Sequence, residues 1–357
     1  MKKILIVLTG GTIGSQAEGE CVNVTDTSPY RLLRLYKETY GQKEADEEEF
    51  EVIQPMAILS ENMDLEAWSR LCRVMWDIPW EKYAGVIVTH GSDTLSYTSA
   101  LLGLLLGHVE IPVVLTASNY PLGEKGSNGL TNFRSAVELI RTGLLRGVFT
   151  VYQNRKGENV VYLATRLTEA DGYLDQFGSF GGVAFGRMEE GRFRYIPNAV
   201  NPGLSQLMEK RLPIAGHCPE FKKSILFLRP YPGFDYETVD LSKKPAAILH
   251  GLHHSSTACV EGKTGSLLWL LEKCQKANIP VYAASVKDAA GRNYESARKL
   301  LEKGAIPMEN ISPEAAYAKL LLLYNLYEED AGGRMGEVFY FEHLPKSVLQ
   351  FSAQPIH

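Results

Sequence analysis

The strongest constraint on the fold is an apolar run near the start of the chain that breaks abruptly into glycines. Residues 4–8 are all aliphatic, and they are followed by Thr9, Gly10, Gly11 and Thr12. Such a run ending in a turn is typical of a buried strand. Paired glycines reach backbone conformations closed to other residues and let a ligand approach closely. We predict a strand with Thr12 at its carboxyl end, where open α/β sheets bind ligands, although a plain turn or a nucleotide-type glycine loop has the same local pattern.

A second strand end offers further polar side chains. Residues 85–89 form another apolar run, and Gly91, Ser92 and Asp93 come shortly after it. A hydroxyl is a weak nucleophile at its free pKa and needs a base or a positive charge nearby. Thr12, Ser92 and Asp93 at one sheet edge are therefore suited to acyl transfer. The alternative is that Asp93 or the threonine after it only caps the following helix.

Two more predicted strands end in small or acidic residues. Ser60 and Glu61 follow a strand predicted for residues 50–59, and Ser118 follows one predicted for residues 111–116. An isolated loop glutamate is usually a solvent-exposed side chain. Two carboxylates in one pocket, however, favour a bound cation, so Glu61 beside the aspartate of the second strand end suits an ammonium group.

The order of elements predicts the fold class, an α/β protein with two domains, each a mainly parallel sheet flanked by helices. Apolar strands alternate with helical stretches, which is the pattern of a parallel sheet covered on both faces. The alternation stops in an irregular stretch with several prolines and restarts near residue 223. We predict an N-terminal catalytic domain at 1–190, a connection at 191–222 and a smaller C-terminal domain at 223–357.

Charge and length limit the classes of partner. A net charge of −5 over 357 residues gives no electrostatic reason to expect binding to nucleic acid or to an anionic membrane. No apolar stretch approaches the length of a membrane span. The N-terminal residues lack the pattern of a secretory signal, so we expect a cytoplasmic protein with a small-molecule ligand.

Cysteine and histidine usage gives no sign of a metal. The five cysteines are scattered without close pairing, so neither a disulfide framework nor a zinc site is predicted. His250, His253, His254 and Cys259 lie close together in the sequence. Because no acidic residue or second cysteine pair supports them, a polar loop is favoured over a metal site.

Four short motifs occur in a specific order at residues 9–14, 60–63, 90–94 and 127–133. One such motif alone is weak evidence, whereas four in register are specific. Together they resemble the bacterial-type L-asparaginases, in particular the cytoplasmic type I branch, over the N-terminal half of the chain. The resemblance implies an amidohydrolase that converts L-asparagine to L-aspartate and ammonia without a metal or organic cofactor. It also implies a homodimer or homotetramer in which neighbouring subunits complete each active site.

The resemblance also assigns roles to individual residues. It makes Thr12 the nucleophile, and it gives the α-carboxylate and α-ammonium group of the substrate to Ser60, Glu61 and Asp93. The predicted catalytic residues are Thr12, Ser92, Asp93 and Arg166, and the predicted substrate-binding residues are Gly11, Ser60, Glu61, Gly91 and Ser118.

The chain departs from the family at three positions close to the chemistry. Cys21 and Val22 stand where the family has a loop tyrosine, and Ser92 replaces its second threonine. The family's lysine is missing; Arg166 is the substitute that charge favours, and a gap in the alignment would put Glu169 there instead. An arginine keeps the positive charge and can bind an aspartate through two hydrogen bonds, but it does not give up a proton near neutral pH.

These departures leave alternative functions open. A member of this family with weakened catalysis could bind an amino acid without turning it over. An amidase for another amide, such as glutamine, is also possible. The ammonia-releasing subunit of a tRNA amidotransferase is similar to the family but usually has an extra N-terminal segment, whereas only eight residues precede Thr9. We rank it lower for that reason, and a nucleotide-binding protein last.

Overall fold

The computed structural model describes residues 2–11, 13, 15–18, 21–24, 28–40, 49–291, 293–327 and 329–346, with the backbone alone for 15–18, 21–24 and 28–30. The chain forms two compact units. The first comprises Met1–Pro219 and Phe339–Phe341, and the second comprises Glu220–Val338 and Glu342–His357. Within the described ranges, no helix is both long and apolar enough to cross a membrane.

The first unit is built on an eight-stranded sheet with two small hairpins beside it. The strands are β1 (Lys3–Leu8), β2 (Ser15–Glu18), β3 (Cys21–Val24), β4 (Phe50–Ile53), β5 (Tyr83–Thr89), β6 (Pro112–Thr116), β7 (Gly147–Gln153), β8 (Asn159–Leu163), β9 (Leu167–Asp171), β10 (Gln176–Ser179), β11 (Gly186–Glu189) and β12 (Arg192–Tyr195). The large sheet has the order β12-β11-β8-β7-β6-β5-β1-β4. Its strands from β7 to β4 run parallel, whereas β8, β11 and β12 are each antiparallel to their neighbours. The hairpins are β2–β3 and β9–β10.

Strand β1 lies inside the large sheet, between β4 and β5. Ile4 pairs with Phe50 of β4, and Leu8 pairs with Thr89 of β5. Residues 4–8 are all buried, as expected of a parallel strand that is covered on both faces. The parallel register brings the carboxyl ends of β1 and β5 side by side.

Helices cover this sheet. They are α1 (Ser28–Tyr40), α2 (Leu65–Trp76), α3 (Leu95–Leu106), α4 (Gly129–Arg141) and α5 (Leu204–Met208). Asp64 caps α2 by accepting a hydrogen bond from the amide of Ala67, which satisfies one of the free donors at a helix start. Helix α3 is buried along almost its whole length because it is apolar on all sides.

The second unit has a four-stranded, all-parallel sheet. Its strands, in spatial order, are β13 (Ile225–Leu228), β14 (Ala247–Gly251), β15 (Val281–Val286) and β16 (Ile306–Glu309), and its helices are α6 (Leu267–Lys276), α7 (Glu295–Glu302) and α8 (Pro313–Leu326). Ser266 and Ser312 cap α6 and α8 with their side-chain oxygens. Leu270 of α6 and Ile248 of β14 belong to the same buried core.

Residues 339–341 return from near the end of the chain to the first unit. Tyr340 is fully buried. Its Oη accepts a hydrogen bond from the amide of Val148 at 2.9 Å, and its carbonyl oxygen accepts one from Thr165 Oγ1 at 2.7 Å. A Cβ at Gly107 would lie 2.5 Å from the ring, so glycine leaves the space that the ring fills.

The predicted fold class is confirmed, since both units contain mainly parallel sheets flanked by helices. Several local predictions were incomplete. The strand predicted for 50–59 ends at Ile53, shortly before Pro55, which has no amide hydrogen for a sheet ladder. Strands β2 and β3 were not predicted, and the stretch 191–222, predicted to be irregular, contains β12 and α5. Elements this short show too few periods to be distinguished from loops.

Lys319 of α8 forms a buried ion pair within the second unit. Its Nζ lies 3.0 Å from Glu342 Oε1, and both side chains are fully buried. The ammonium group also donates to His343 Nε2 at 2.9 Å, and His343 Nδ1 lies 2.7 Å from the carbonyl oxygen of Glu309. Because Nε2 accepts from the ammonium group, neutral His343 carries its proton on Nδ1 and donates it to Glu309.

We expect Lys319→Ala to destabilise the second unit by about 3–5 kcal/mol, because the carboxylate of Glu342 would stay buried without this ammonium group. Thermal unfolding followed by calorimetry measures the loss. Lys303→Ala is the matched control, because its ion pair with Glu272 is largely exposed and its removal is expected to change stability far less. Equal losses in the two variants would contradict the prediction.

Candidate active site

The end of β1 touches two neighbouring chain segments through contacts that only glycine allows. Gly10 has φ +112° and Gly11 has φ +71°, both in the region that favours glycine. The amide of Gly11 donates to the carbonyl oxygen of Ile58 at 2.8 Å. A Cβ at Gly11 would lie 2.3 Å from the amide nitrogen of Gly91. Thr12, the predicted nucleophile, lies outside the described residues.

The turn after β5 contacts the segment after β4 at Gly91. A Cβ at Gly91 would lie 2.4 Å from Ser60 Oγ. The buried hydroxyl of Ser60 donates to Asp93 Oδ2 at 3.2 Å, and Thr94 Oγ1 donates to the carbonyl oxygen of Ser60 at 2.8 Å. Thr94 precedes α3 without a side-chain capping bond. The side chains of Asp93 and Thr94 therefore both contact Ser60, and that of Thr94 does not cap the helix.

Ser92 and Glu61 flank this contact. Ser92 is half-buried, and Glu61 is exposed in the 3₁₀ turn Ser60–Asn62. The predicted site residues from three chain segments thus lie at one edge of the sheet: Gly11, Ser60, Glu61, Gly91, Ser92 and Asp93.

Ser118 follows β6 but makes its described contacts within its own loop. It is buried. Its Oγ donates to the carbonyl oxygen of Tyr120 at 2.5 Å and lies 3.0 Å from Ser127 Oγ. These bonds hold the loop before α4, and a contact between Ser118 and substrate stays a prediction.

Arg166 is buried in the 3₁₀ turn Ala164–Arg166, between β8 and β9. Its Nε donates to the carbonyl oxygen of Phe341, and its own carbonyl oxygen accepts from the amide of Phe180 at 2.7 Å. The described contact of Nε is therefore with the returning segment 339–341. The pairing of Arg166 with Asp93 stays a prediction.

The β9–β10 hairpin forms one wall of a cavity of about 420 Å³. The cavity is lined by Ser92, Asp93, Glu169, Ala170, Asp171, Gly172, Tyr173 and Asp175. Glu169, in β9, is the residue that a gap in the alignment would place at the position of the family's lysine. The lining contains four carboxyl groups, and neither lysine nor arginine is among its described residues.

Asp175 in this wall is coupled to Tyr152 of β7. Tyr152 Oη donates to Asp175 Oδ2 at 2.6 Å. Burial raises the pKa of Asp175, the hydrogen bond from Tyr152 lowers it, and the negative charge of Asp93 raises it further. Burial also raises the pKa of Tyr152, so the phenol stays a donor. Neither residue belongs to a motif, and neither was predicted from the sequence.

Comparisons with known proteins agree with the fold. A sequence model described as "Asparaginase, N-terminal" matches residues 3–201. The chain therefore belongs to the asparaginase family, as the four motifs indicated.

Curated relatives carry two different names. An L-asparaginase from Thermococcus kodakarensis is 26% identical over 327 residues, which cover 89% of this chain and 92% of that protein. A glutamyl-tRNA(Gln) amidotransferase subunit from Methanococcus maripaludis is 25% identical over 349 residues, which cover 93% of this chain and 78% of that protein. Family membership alone therefore does not decide between these activities.

Solved structures share the fold. The thermostable L-asparaginase of T. kodakarensis superposes with a TM-score of 0.74 at 22% identity, and L-asparaginase I of Vibrio cholerae with 0.72 at 21% identity. Each match covers 96% of this chain and 99% of the other. At these identities the likeness concerns the fold alone.

We expect Gly91→Ala to disturb this edge of the sheet. The new Cβ would lie 2.4 Å from Ser60 Oγ, so Ser60 must move away and its bond to Asp93 must break. Overpacking of this kind costs about 1–3 kcal/mol, measurable by thermal unfolding. Gly216→Ala is the control, because a Cβ there meets no atom of the described residues within 4 Å. Equal melting temperatures of the two variants would argue against the close approach.

Proposed function

We propose that this chain is an amidohydrolase that converts L-asparagine to L-aspartate and ammonia, with Thr12 as the nucleophile. The observation that carries the proposal is the convergence of Gly11, Ser60 and Asp93 at one sheet edge in a chain of the asparaginase family. An L-asparaginase that aligns over 89% of this chain adds support. The proposed reaction needs no metal or organic cofactor.

The substrate is held through its amino-acid backbone. The hydroxyl of Ser60, which donates to Asp93 in this structure, turns to donate to the α-carboxylate. Asp93 and Glu61 then accept hydrogen bonds from the α-ammonium group, and such charge-assisted bonds are stronger than neutral ones. Gly11, Gly91 and Ser118 border the bound amino acid.

Hydrolysis proceeds in two steps. Thr12 Oγ attacks the side-chain amide carbon and gives up its hydroxyl proton to the proton relay that includes Ser92 and Asp93. A C–O bond forms, and the carbonyl oxygen takes the electron pair of the C=O π bond. A backbone N–H near Ser92 stabilises this oxyanion. The amide nitrogen accepts that proton from the relay, the C=O bond re-forms as the C–N bond breaks, and ammonia leaves an acyl ester on the threonine. Water then gives a proton to the relay and attacks the ester carbon. The bond from this carbon to Thr12 Oγ breaks, the threonine oxygen takes the proton back, and aspartate is released.

The described contacts favour Glu169 over Arg166 as the third member of the proton relay with Ser92 and Asp93. Glu169 lines the cavity with both of them, whereas Arg166 Nε donates to Phe341. A carboxylate can accept a proton from a hydroxyl, but it cannot give Asp93 the neighbouring positive charge that a lysine provides. We therefore expect slower turnover than a lysine at this position would allow.

The charge of the cavity also favours an alternative function, amino-acid binding with weakened catalysis. Four carboxyl groups, with no lysine among the described residues of the lining, suit an α-ammonium group better than they suit a proton relay. The amidotransferase relatives favour a further candidate, an amidase for glutamine or another amide. For each candidate we propose a cytoplasmic homodimer or homotetramer.

Ammonia release from purified protein tests the proposal. Wild type, Thr12→Ser and Thr12→Ala are each supplied with L-asparagine, with L-glutamine or with buffer alone. We expect release with asparagine, partial release in Thr12→Ser because the hydroxyl is retained, and none in Thr12→Ala. Ammonia release with glutamine but not with asparagine would show that the substrate is glutamine. If neither amide gave ammonia while asparagine still raised the melting temperature, the chain would be an amino-acid-binding protein.

Glu169→Lys tests the third member of the relay. We expect kcat for asparagine to rise by at least about tenfold, because general acid–base groups contribute about 10²–10⁴-fold. Asp171→Lys makes the same charge change in the same cavity wall and is expected to leave kcat near the wild-type value. An equal response of both variants would show that only the total charge of the cavity matters.

A further inference from the structure

A chain of three buried side chains leads to the turn after β5, and the proposed reaction does not use it. Trp68 of α2, Thr98 of α3 and His90 at the end of β5 are all buried. Trp68 Nε1 donates to Thr98 Oγ1 at 3.0 Å, and Thr98 Oγ1 lies 3.0 Å from His90 Nε2. His90 Nδ1 lies 2.8 Å from the carbonyl oxygen of Gly91.

The chemistry of the donors and acceptors fixes which atom donates in each of these hydrogen bonds. An indole N–H can only donate, so Thr98 Oγ1 accepts from Trp68 and has one hydrogen left for His90. The carbonyl oxygen of Gly91, 2.8 Å from Nδ1, can only accept, so the proton of the neutral imidazole sits on Nδ1 and Nε2 accepts the hydrogen of Thr98 Oγ1. Nδ1–H therefore donates to the carbonyl oxygen of Gly91. No other arrangement of protons satisfies all three bonds with a neutral ring.

His90 stays neutral under ordinary conditions. Burial lowers its pKa to about 4, although the hydrogen bond to Gly91 and the charge of Asp93 raise it. The backbone of His90 is also fixed, since its amide donates to the carbonyl oxygen of Thr116 at 2.8 Å. The imidazole is therefore a rigid donor to Gly91 at neutral pH.

A fixed carbonyl at Gly91 fixes the next amide as well. The peptide bond is planar and trans, so the N–H of Ser92 points opposite to the carbonyl of Gly91. With that carbonyl held toward the buried imidazole, the N–H of Ser92 is held away from it. This amide belongs to the segment to which the proposed reaction assigns the oxyanion.

We infer that Trp68, Thr98 and His90 form a positioning relay that orients the Gly91–Ser92 peptide for stabilisation of the oxyanion. The inference rests on the proposed amide hydrolysis. The three residues do not touch the substrate. They act by fixing the orientation of the peptide plane. Thr98 is the middle residue of this hydrogen-bonded series, and its hydroxyl bonds to both of the others.

Thr98→Val is the decisive variant, because it keeps the shape of the side chain and removes the hydroxyl. We expect kcat for asparagine to fall about tenfold to a hundredfold with KM little changed, since small misplacements of reacting groups have effects of this size. Thr98→Ser keeps the hydroxyl and is expected to restore kcat. Trp68→Phe leaves the bond from Thr98 to His90 possible and is expected to have a smaller effect.

Ser99→Ala is the matched control for simple loss of a buried hydroxyl. Ser99 is the next residue of α3, and its Oγ lies 2.9 Å from Thr150 Oγ1, in a buried pair of the same kind. We expect this variant to lose stability but not kcat. Equal kcat in Thr98→Val and Ser99→Ala, or a change confined to KM, would overturn the inference.

Nuclear magnetic resonance separates this inference from the proposed function. In wild type, the ¹⁵N shifts of His90 should report a proton on Nδ1. Thr98→Val should shift the amide resonance of Ser92, and Ser99→Ala should not. If the wild type releases no ammonia from any amide, the proposed function fails, and these spectra still decide whether the relay exists. A proton on Nε2, or an unchanged Ser92 amide in Thr98→Val, would refute it.

Discussion

The close approach of two backbones, at Gly11 and Gly91, is the constraint on which the candidate site depends. Strands β1 and β5 run parallel and end side by side, and a Cβ on either glycine would collide with the neighbouring turn or with Ser60. The absence of side chains at these two positions lets polar groups from separate segments come within hydrogen-bonding distance. The bond between Ser60 and Asp93 is a result of this approach.

The second property that determines the chemistry of the candidate site is its negative charge. Asp93, Glu169, Asp171 and Asp175 line one cavity, and neighbouring carboxylates disfavour each other's ionisation. The hydrogen bond that Tyr152 donates to Asp175 lowers the pKa of this carboxyl group and so offsets part of this repulsion. On the proposed reaction, the same charge favours the ammonium group of the substrate and opposes the carboxylate that hydrolysis creates. Such a cavity would hasten release of the product.

The parts of the site that could be predicted from the sequence are those encoded by local pattern. The glycines after β1 and the polar turn after β5 each follow an apolar run, and parallel strand ends meet at one edge. The sequence could not decide whether Arg166 or Glu169 takes the position of the family's lysine. The alignment of this short segment, which contains no lysine, depends on how β9 pairs with β10. Asp175 belongs to the turn of that hairpin, and its partner Tyr152 is 23 residues away. Neither carries a local signal.

The return of Tyr340 to the first unit ties the order of synthesis to the completion of this fold. Its ring contacts β7 across 192 positions of sequence. On a ribosome, N-terminal domains generally fold first, but here the space beside Gly107 stays unfilled until synthesis has reached Tyr340. Contacts of such long range also slow folding. A nascent chain that stops before Tyr340 would therefore leave the space beside Gly107 unfilled, even though its glycine turns and polar site residues have all been made.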